Sequence, residues 1–510
     1  MITPEWTARS ARWGSLCDPA IGSFLCAKCC QRPIPSDDVT VALARRCRWR
    51  VKLCSPPRMN GYRAASVHKK LRHQHRRMLV RKLSESPAFH VNVLGGGIAG
   101  LCTTRYLLKY SKDCKVTLID KEPDLALSST KPITSYDEQV SSRPHRSIPS
   151  RRNGNVLCPS LTVPWTSKSM WKEVAEPAIR GAFGRRPAAA GMPSVSFDWP
   201  TLVKDRRFWS FAAHFMLQKF AFGRQDHQCN RSILEYNMRC LDDREDDLIQ
   251  GIDYGRFAQG TLSIDGTVAQ MDSSGDVDLF CRQLIGSMRT AYGDRLDVVA
   301  GEEVETLHSR NGVICGATTK ATDSSDRRLR TGDAFVVALG NASYPLCNAM
   351  GVACPVYPAK GHLVTVASEI DRSHNLTLHD DGGGGFGYAA PMAFRDNQGR
   401  RCYRLSGFVD FELHVDINHR RVNALVNACR KYLPDLEVVD ASCCHRPVSA
   451  DDRPLIGPTK VPNLFLCTGL GSRGWSIGCA SGSILASQIL DIEPEIDAAP
   501  FLPSRFRPSI

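Results

Sequence analysis

The sequence predicts an α/β protein organised on a parallel sheet, and three stretches carry that expectation. Residues 90–120, HVNVLGGGIAGLCTTRYLLKYSKDCKVTLID, read as strand, glycine turn, helix, strand and a closing carboxylate. Residues 335–339 (FVVAL) and 464–467 (LFLC) are short, wholly apolar runs, each followed by a glycine-bearing turn. An unbroken apolar run of that length suits a strand covered on both faces, and open α/β sheets take their ligands where such strands end.

The totals bound the rest. With 510 residues the chain is long enough for two or three domains and a substantial core. No apolar run approaches the ~18 residues of a membrane-spanning helix. The formal net charge is +14, but residues 1–90 hold 18 Lys+Arg against 5 Asp+Glu, so the remainder is close to neutral. A basic nucleic-acid-binding face on the folded part is therefore not expected. The 21 cysteines lack the compact framework of a small secreted module, and no secretory signal opens the chain, which points to reduced thiols inside a cell. Cys26 and Cys29 form a CxxC, yet no second pair follows at zinc-site spacing, so no metal site is expected.

Taken in order, residues 1–88 read as a basic extension, disordered or targeting. Residues 59–84 carry eight Lys/Arg and no acid, a composition that resembles a mitochondrial transit peptide. Mitochondrial location is the expectation, with cytoplasm as the alternative, and Met59 is a candidate start. In the unit that follows, Gly95 permits the tight turn, Gly97 lets backbone approach a pyrophosphate, and Gly100 lets helix and strand pack closely. The start of the helix, Ile98 and Ala99, offers N–H groups and partial positive charge to phosphate. Asp120, at the end of the second strand, is placed to bond a ribose hydroxyl and would repel a 2′-phosphate, so the motif points to FAD or NAD rather than NADP.

A long polar segment spans residues 121–153, and the turn-rich stretch 153–160 (NGNVLCPS) follows, then Pro164 and Trp165. Residues 198–222 read as a helix with Phe208, Phe211, Ala212, Phe215 and Phe222 near one face, either a core face or a surface for peripheral membrane contact. Residues 250–266 look like hairpin material and 276–289 like a helix. Residues 297–319 alternate on both sides of Asn311-Gly312, the signature of a hairpin. Residues 356–366 and 402–411 are strand candidates, 419–433 an amphipathic helix, and 478–489 a helix of small residues. Gly474-Trp-Ser476-Ile-Gly478 fits the GxSxG of a hydrolase elbow, but the strand before it ends nine residues too early.

These blocks together resemble the FAD-dependent D-amino-acid oxidase superfamily, most closely its D-amino-acid dehydrogenase branch, over about residues 88–490. The resemblance rests on Gly95–Gly100, Asn153-Gly-Asn155, Gly260-Thr-Leu262, 275–280 (GDVDLF), Val337-Ala-Leu-Gly340 and 355–361 (PVYPAKG). Its most specific part is the closing block from Arg446-Pro447 to Gly457 and from Asn463 to Trp475. It implies a Rossmann-like FAD-binding domain assembled from residues 89–165, 267–355 and 441–490. An interposed α+β substrate domain, with a mainly antiparallel sheet, would take 166–266 and 356–440, and 491–510 would form a tail.

The resemblance also implies roles. Gly95, Gly97, Ile98, Ala99, Gly100, Asp120 and Lys121 would hold the adenosine diphosphate half of FAD, and Val304 would meet the adenine. Asn155 and Gly340 would lie near the cofactor, while Gly469, Gly471, Ser472, Arg473, Gly474 and Trp475 would line the polar edge of the flavin ring. Arg446 and Arg404 are candidates for a clamp on the substrate carboxylate, which a planar guanidinium matches bidentately. His445 and His362 read as packing or hydrogen-bonding residues rather than bases. The chain departs from the usual pattern at Leu470, at Cys443-Cys444-His445 and at His362.

The implied reaction is oxidative deamination of an amino acid, of D configuration, by hydride transfer from Cα to flavin N5. The electron acceptor is left open between oxygen, a quinone and another flavoprotein. Two alternatives stay open: a glycine, sarcosine or dimethylglycine oxidase, and a non-catalytic flavin-binding assembly factor for a respiratory complex.

Overall fold

A computed structural model describes residues 89–126, 153–162, 193–221, 226–379 and 385–506, all within the compact unit 60–510. The basic extension, the CxxC, most of the polar segment, Trp165 and Phe222 lie outside the described residues.

The chain enters through β1 (Phe89–Leu94), turns at Gly95–Gly97 into α1 (Ile98–Tyr110) and returns through β2 (Cys114–Asp120). The unit forms as read, because each part is locally specified: an apolar strand, a glycine turn, a helix whose first eleven residues are buried, and a second apolar strand. After α2 (Arg206–Ala221), α3 (Asp226–Leu241) and α4 (Val277–Tyr292) comes β3 (Leu296–Ala300). Then β4 (Glu302–Arg310), β5 (Val313–Ala321) and β6 (Arg327–Thr331) make a three-stranded antiparallel flap. Its first turn carries Asn311 at φ 53° and Gly312 at φ 76°, the left-handed pair that a tight two-residue hairpin demands.

The chain returns through β7 (Ala334–Val337), then crosses to β8 (Val356–Ser368), β9 (Asn375–His379), β10 (Gly385–Arg395) and β11 (Arg401–Phe411). Helix α5 (His419–Arg430) and β12 (Glu437–Ser449) follow, and β13 (Leu455–Pro458), β14 (Leu464–Thr468) and α6 (Gly474–Ile489) close the chain.

Two large sheets result. The first runs β13-β14-β7-β1-β2-β3, parallel except for the β13–β14 pair. The fully apolar runs at 335–339 and 464–467 lie in its middle, as a strand covered on both faces must. Helices α1, α3, α4 and α6 pack on one side, and a second apolar cluster with Phe208, Phe211, Tyr357 and Phe411 fills the other. The second sheet runs β12-β8-β11-β10-β9 and ends in the short strands Thr261–Leu262 and Val268–Ala269. Its larger pairings are antiparallel, and α5 covers one face with Leu425, Val426 and Cys429.

Three expectations need amending. Residues 441–449 belong to the antiparallel sheet, because β12 pairs with β8 from Ala367–Glu437 to Val356–Ser449, so the crossing back comes later than 441. The helix read at 198–222 is two, Trp199–Leu202 and α2, broken around Asp205. Its aromatic stripe takes the core reading, with Phe208 and Phe211 buried against Tyr357. The hairpin expected at 250–266 is displaced: its strands are 261–262 and 268–269, around the turn at Asp265-Gly266.

Candidate active site

The site begins at the turn after β1. Gly95 has φ 113°, and a Cβ there would sit 2.5 Å from Ala338 O. A Cβ on Gly100 would lie 1.8 Å from Gly95 O, so that residue packs helix against turn and forms no ligand surface. Gly97 is the N-cap of α1, with no side chain capping the helix and no acid in its first turn. That leaves an electropositive helix start, the standard receptor for phosphate. Asp120 ends β2 and accepts from Gly96 N–H at 2.5 Å and from Glu122 N–H at 2.9 Å. Its carboxylate therefore fixes the turn while remaining at the groove.

A groove of about 550 Å³ starts here and runs to the far end of the parallel sheet. It is lined by Gly95, Gly97, Ile98, Ala99, Asp120, Lys121, Val304, Gly340, Gly469, Gly471 and Gly474, eleven of the positions read from sequence. Gly340, Gly469 and Gly471 have φ of 55°, 72° and 62°, so each loop bends through a conformation open to glycine.

The other sequence-read positions lie off the groove. Trp475 is buried, donates Nε1–H to Gly275 O at 3.1 Å and packs on Phe280 and Tyr254, so its indole is core. Arg473 is tied to Asp452 (Nη2 to Oδ2, 3.0 Å) and to Leu161 O, bracing the loop instead of meeting a ligand. Ser472 is exposed, and Asn155, at φ 61°, gives its place in the lining to Asn153. Ser476 lies inside α6 and bonds Cys158 N–H and Val156 O, which disposes of the hydrolase elbow.

Sequence reasoning missed part of the wall. Leu339, Asn341, Val415, Ile417, Cys443, Cys444, His445 and Pro447 all line the groove. The signal for three of them was present, since Cys443, Cys444 and His445 are where the chain departs from the usual pattern. His445 donates Nε2–H to Glu412 O at 2.9 Å, and burial holds its pKa below the ordinary value. Cys443 Sγ donates to Val415 O at 2.8 Å, fastening the 412–418 loop to β12. Asn341 donates Nδ2–H to His445 O at 3.0 Å, while its Oδ1 is buried without a partner.

The two arginines are separated. Arg446 stands opposite Ala359 on β8 and Arg404 opposite Thr365, six positions along the same strand. At 3.3 Å per residue that is roughly 20 Å, too far for both to grip one carboxylate. Arg404 Nε is buried without a partner, but nothing brings it to the groove. Arg446 sits between the groove-lining residues His445 and Pro447, and its guanidinium covers Gly361, where a Cβ would meet Cζ at 2.1 Å. It donates Nη1–H to Phe408 O at 2.6 Å. Burial lowers its pKa from the ordinary arginine value, against the fields of Cys444 and Asp410.

A parallel sheet with an uncapped helix after its first strand, sharing a long groove with an antiparallel sheet, is the arrangement of a dinucleotide-binding protein. The groove suits such a group: glycine backbone at one end with the Asp120 carboxylate beside it, and the orphaned acceptor of Asn341 toward the other. Residues 276–488 match the family described as FAD-dependent oxidoreductase (DAO), and residues 93–157 match an NAD(P)-binding Rossmann-like domain. A D-amino acid dehydrogenase of Dechloromonas aromatica (strain RCB) is 33% identical over 246 residues, 47% of this chain and 56% of that one. Another, from Agrobacterium fabrum (strain C58), is 25% identical over 82% of this chain and 99% of its own. Among solved structures, a glycine oxidase from Geobacillus kaustophilus aligns over 82% of this chain and all of its own, at 15% identity and TM-score 0.48. Residues 276–488 are thus similar to the FAD-dependent oxidoreductases, and together with the Rossmann-like match this indicates FAD as the cofactor.

Proposed function

We propose that the protein catalyses FAD-dependent oxidative deamination of an amino acid, of D configuration. The observation that carries this reading is Arg446. Among the described residues no carboxylate forms an ion pair with it, and a single carbonyl is its hydrogen-bond partner. A cation held that deeply without a counter-ion is costly, so the site is built for an anion that arrives from outside. A substrate α-carboxylate has the matching charge and planar shape. The names of the two relatives given above, both D-amino acid dehydrogenases, support the substrate class.

The residues divide the labour. Gly95–Ala99 and Asp120 bind the adenosine diphosphate half of the cofactor, and Asn341 with Gly469–Gly471 borders its other end. FAD, when bound, supplies the acceptor for a hydride leaving the substrate Cα. Arg446 fixes the carboxylate and thereby limits the directions in which Cα–H can point, which is the positioning share of catalysis. His445 is held below its usual pKa, so it stays uncharged near neutrality and does not compete with Arg446 for the anion. No strong base is called for, since a neutral amine needs only to lose hydride and the resulting imine hydrolyses in water.

Anaerobic mixing of the purified holoenzyme with separate D- and L-amino acids tests the reading. Bleaching of the flavin band by D-amino acids is expected; bleaching by sarcosine or dimethylglycine alone would move the assignment to methylated glycines. No bleaching by any amine would overturn catalysis and favour the assembly-factor alternative. Adding oxygen, a soluble quinone or an electron-transferring flavoprotein to the bleached enzyme then identifies the acceptor.

A further inference from the structure

Arg446 is held by a constructed cradle, and three features of the antiparallel sheet make it. Between Lys360 and His362 the pairing of β8 with β11 shifts: Lys360 faces Asp410 but His362 faces Gly407. One extra residue on β11 is therefore bulged, a device that re-aims backbone groups. The bulge includes Phe408 at φ 58°, a left-handed conformation uncommon for an aromatic residue. Its carbonyl is the one that receives Arg446 Nη1–H. Opposite, Gly361 leaves the space that the guanidinium fills, with Arg446 Cζ, Nη2 and Nη1 at 2.1, 2.2 and 2.4 Å from where a Cβ would stand.

The strained residue is braced from both sides. The Phe408 ring stacks on Phe386 at 4.7 Å with planes 8° apart, and Arg421 Cζ lies 4.2 Å from the ring centroid. Arg421 comes from the first turn of α5 and is anchored to Asp410 Oδ1 at 2.5 Å and to Pro193 O. Asp410 Oδ1 also accepts from Ser196 Oγ at 2.7 Å. A backbone conformation that costs free energy persists only where its surroundings over-determine it. Here they do, through a cation, a ring and a carboxylate.

Resting on the reading of Arg446 as the carboxylate anchor, we propose that Gly361 and the Phe408 bulge are positioning elements that set where Arg446 points. Arg421 and Asp410 are the struts that hold the bulge. None of the four meets the substrate; they act through the guanidinium.

Gly361→Ala is the discriminating variant. Gly361 does not lie in the left-handed region, so alanine is allowed by the backbone, and the atoms it displaces are the flexible end of Arg446. Propionate, an amino-acid skeleton without the amine, reports carboxylate binding through its perturbation of the flavin spectrum and needs no turnover. The expected result for Gly361→Ala is at least a tenfold rise in propionate Kd and in amino-acid KM, with FAD affinity and melting temperature near wild type. Arg446→Ala should lose propionate binding, and adding Gly361→Ala to it should cost nothing more. If Arg446→Ala weakens propionate but Gly361→Ala does not, the cradle is overturned while the anchor stands. If Arg446→Ala leaves propionate binding intact, the anchor fails, and the cradle with it.

Discussion

At the scale of single residues, the part of the site that was legible is the part specified by neighbours in sequence. Gly95, Gly97 and Asp120 act through a turn, a helix start and a strand end, all within one thirty-residue unit, so spacing alone placed them on the groove. The loop of Arg473 and Trp475 borders the groove while their side chains turn away from it, a direction that depends on Gly275, Asp452 and Leu161, far off in the chain. His362, read as a packing or hydrogen-bonding residue, has that place in the structure. It is fully buried, accepts Asn418 N–H at Nε2 (3.2 Å) and has Asp410 Oδ2 3.6 Å from Nδ1. Burial first, then the charges of Lys360, Arg421 and Arg446, lower its pKa to about 4, with Asp410 opposing. Below pH 6.5 the unfolded chain takes up a proton that the native ring refuses, so the native state loses stability as pH falls from about 6.5 toward 4. A shift of that size corresponds to about 3 kcal/mol. His362→Gln keeps an acceptor for Asn418 but cannot titrate, so its urea-unfolding free energy should fall less over that pH interval; an unchanged slope would assign the acid sensitivity to other groups.

At the scale of elements, strands with one kind of environment were readable and strands with several were not. β7 is apolar throughout, and β14 is apolar up to its last residue, Thr468, because both faces are covered. β12 mixes Glu437, Asp440, two cysteines, His445 and Pro447, because it is an edge strand that is exposed at its start, borders the groove and ends in the core. Period-two patterning has no signature for such a strand, and an edge is where proline is tolerated. Helix α6 begins at Gly474, four residues earlier than read, and the glycine at 478 permits its close packing on Ile98. The closest approach is Gly482, where a Cβ would lie 2.4 Å from Cys102 C and 2.6 Å from Thr103 N, both backbone atoms of α1. Cys102 and Cys479 Sγ are 3.7 Å apart at the same crossing. Backbone cannot swing aside as a side chain can, so Gly482→Ala must separate the helices. The expected loss is about 1–3 kcal/mol of unfolding free energy, the usual cost of overpacking. Equal stability in urea would mean that α1 and α6 slide apart freely, against the tight fit between them.

At the scale of the whole molecule, the groove gathers segments that the chain keeps far apart: the turn at 95–99, Val304, 338–342, 415–417, 441–447 and 467–474. This arrangement was legible only through the resemblance, because no local pattern says that β1 lies beside β7, some 240 residues on. It has a thermodynamic consequence. A group bound along the groove touches both large sheets, and the unfolded chain has no such site, so cofactor binding adds to folding stability by mass action. At a free concentration of a hundred times Kd the gain is about 2.7 kcal/mol. Melting temperature should therefore climb with the logarithm of FAD concentration. Asp120→Asn should displace that curve, because an amide has one acceptor oxygen for the two backbone donors, Gly96 N–H and Glu122 N–H, that the carboxylate now satisfies. Hydrogen bonds to a charged acceptor contribute about 1.5–3 kcal/mol, so the variant should need at least about tenfold more FAD to reach the same melting temperature. A wild-type melting temperature indifferent to FAD would mean that the groove does not bind it in the native state. An Asp120→Asn curve lying on the wild-type one would mean that the turn holds the diphosphate without the carboxylate.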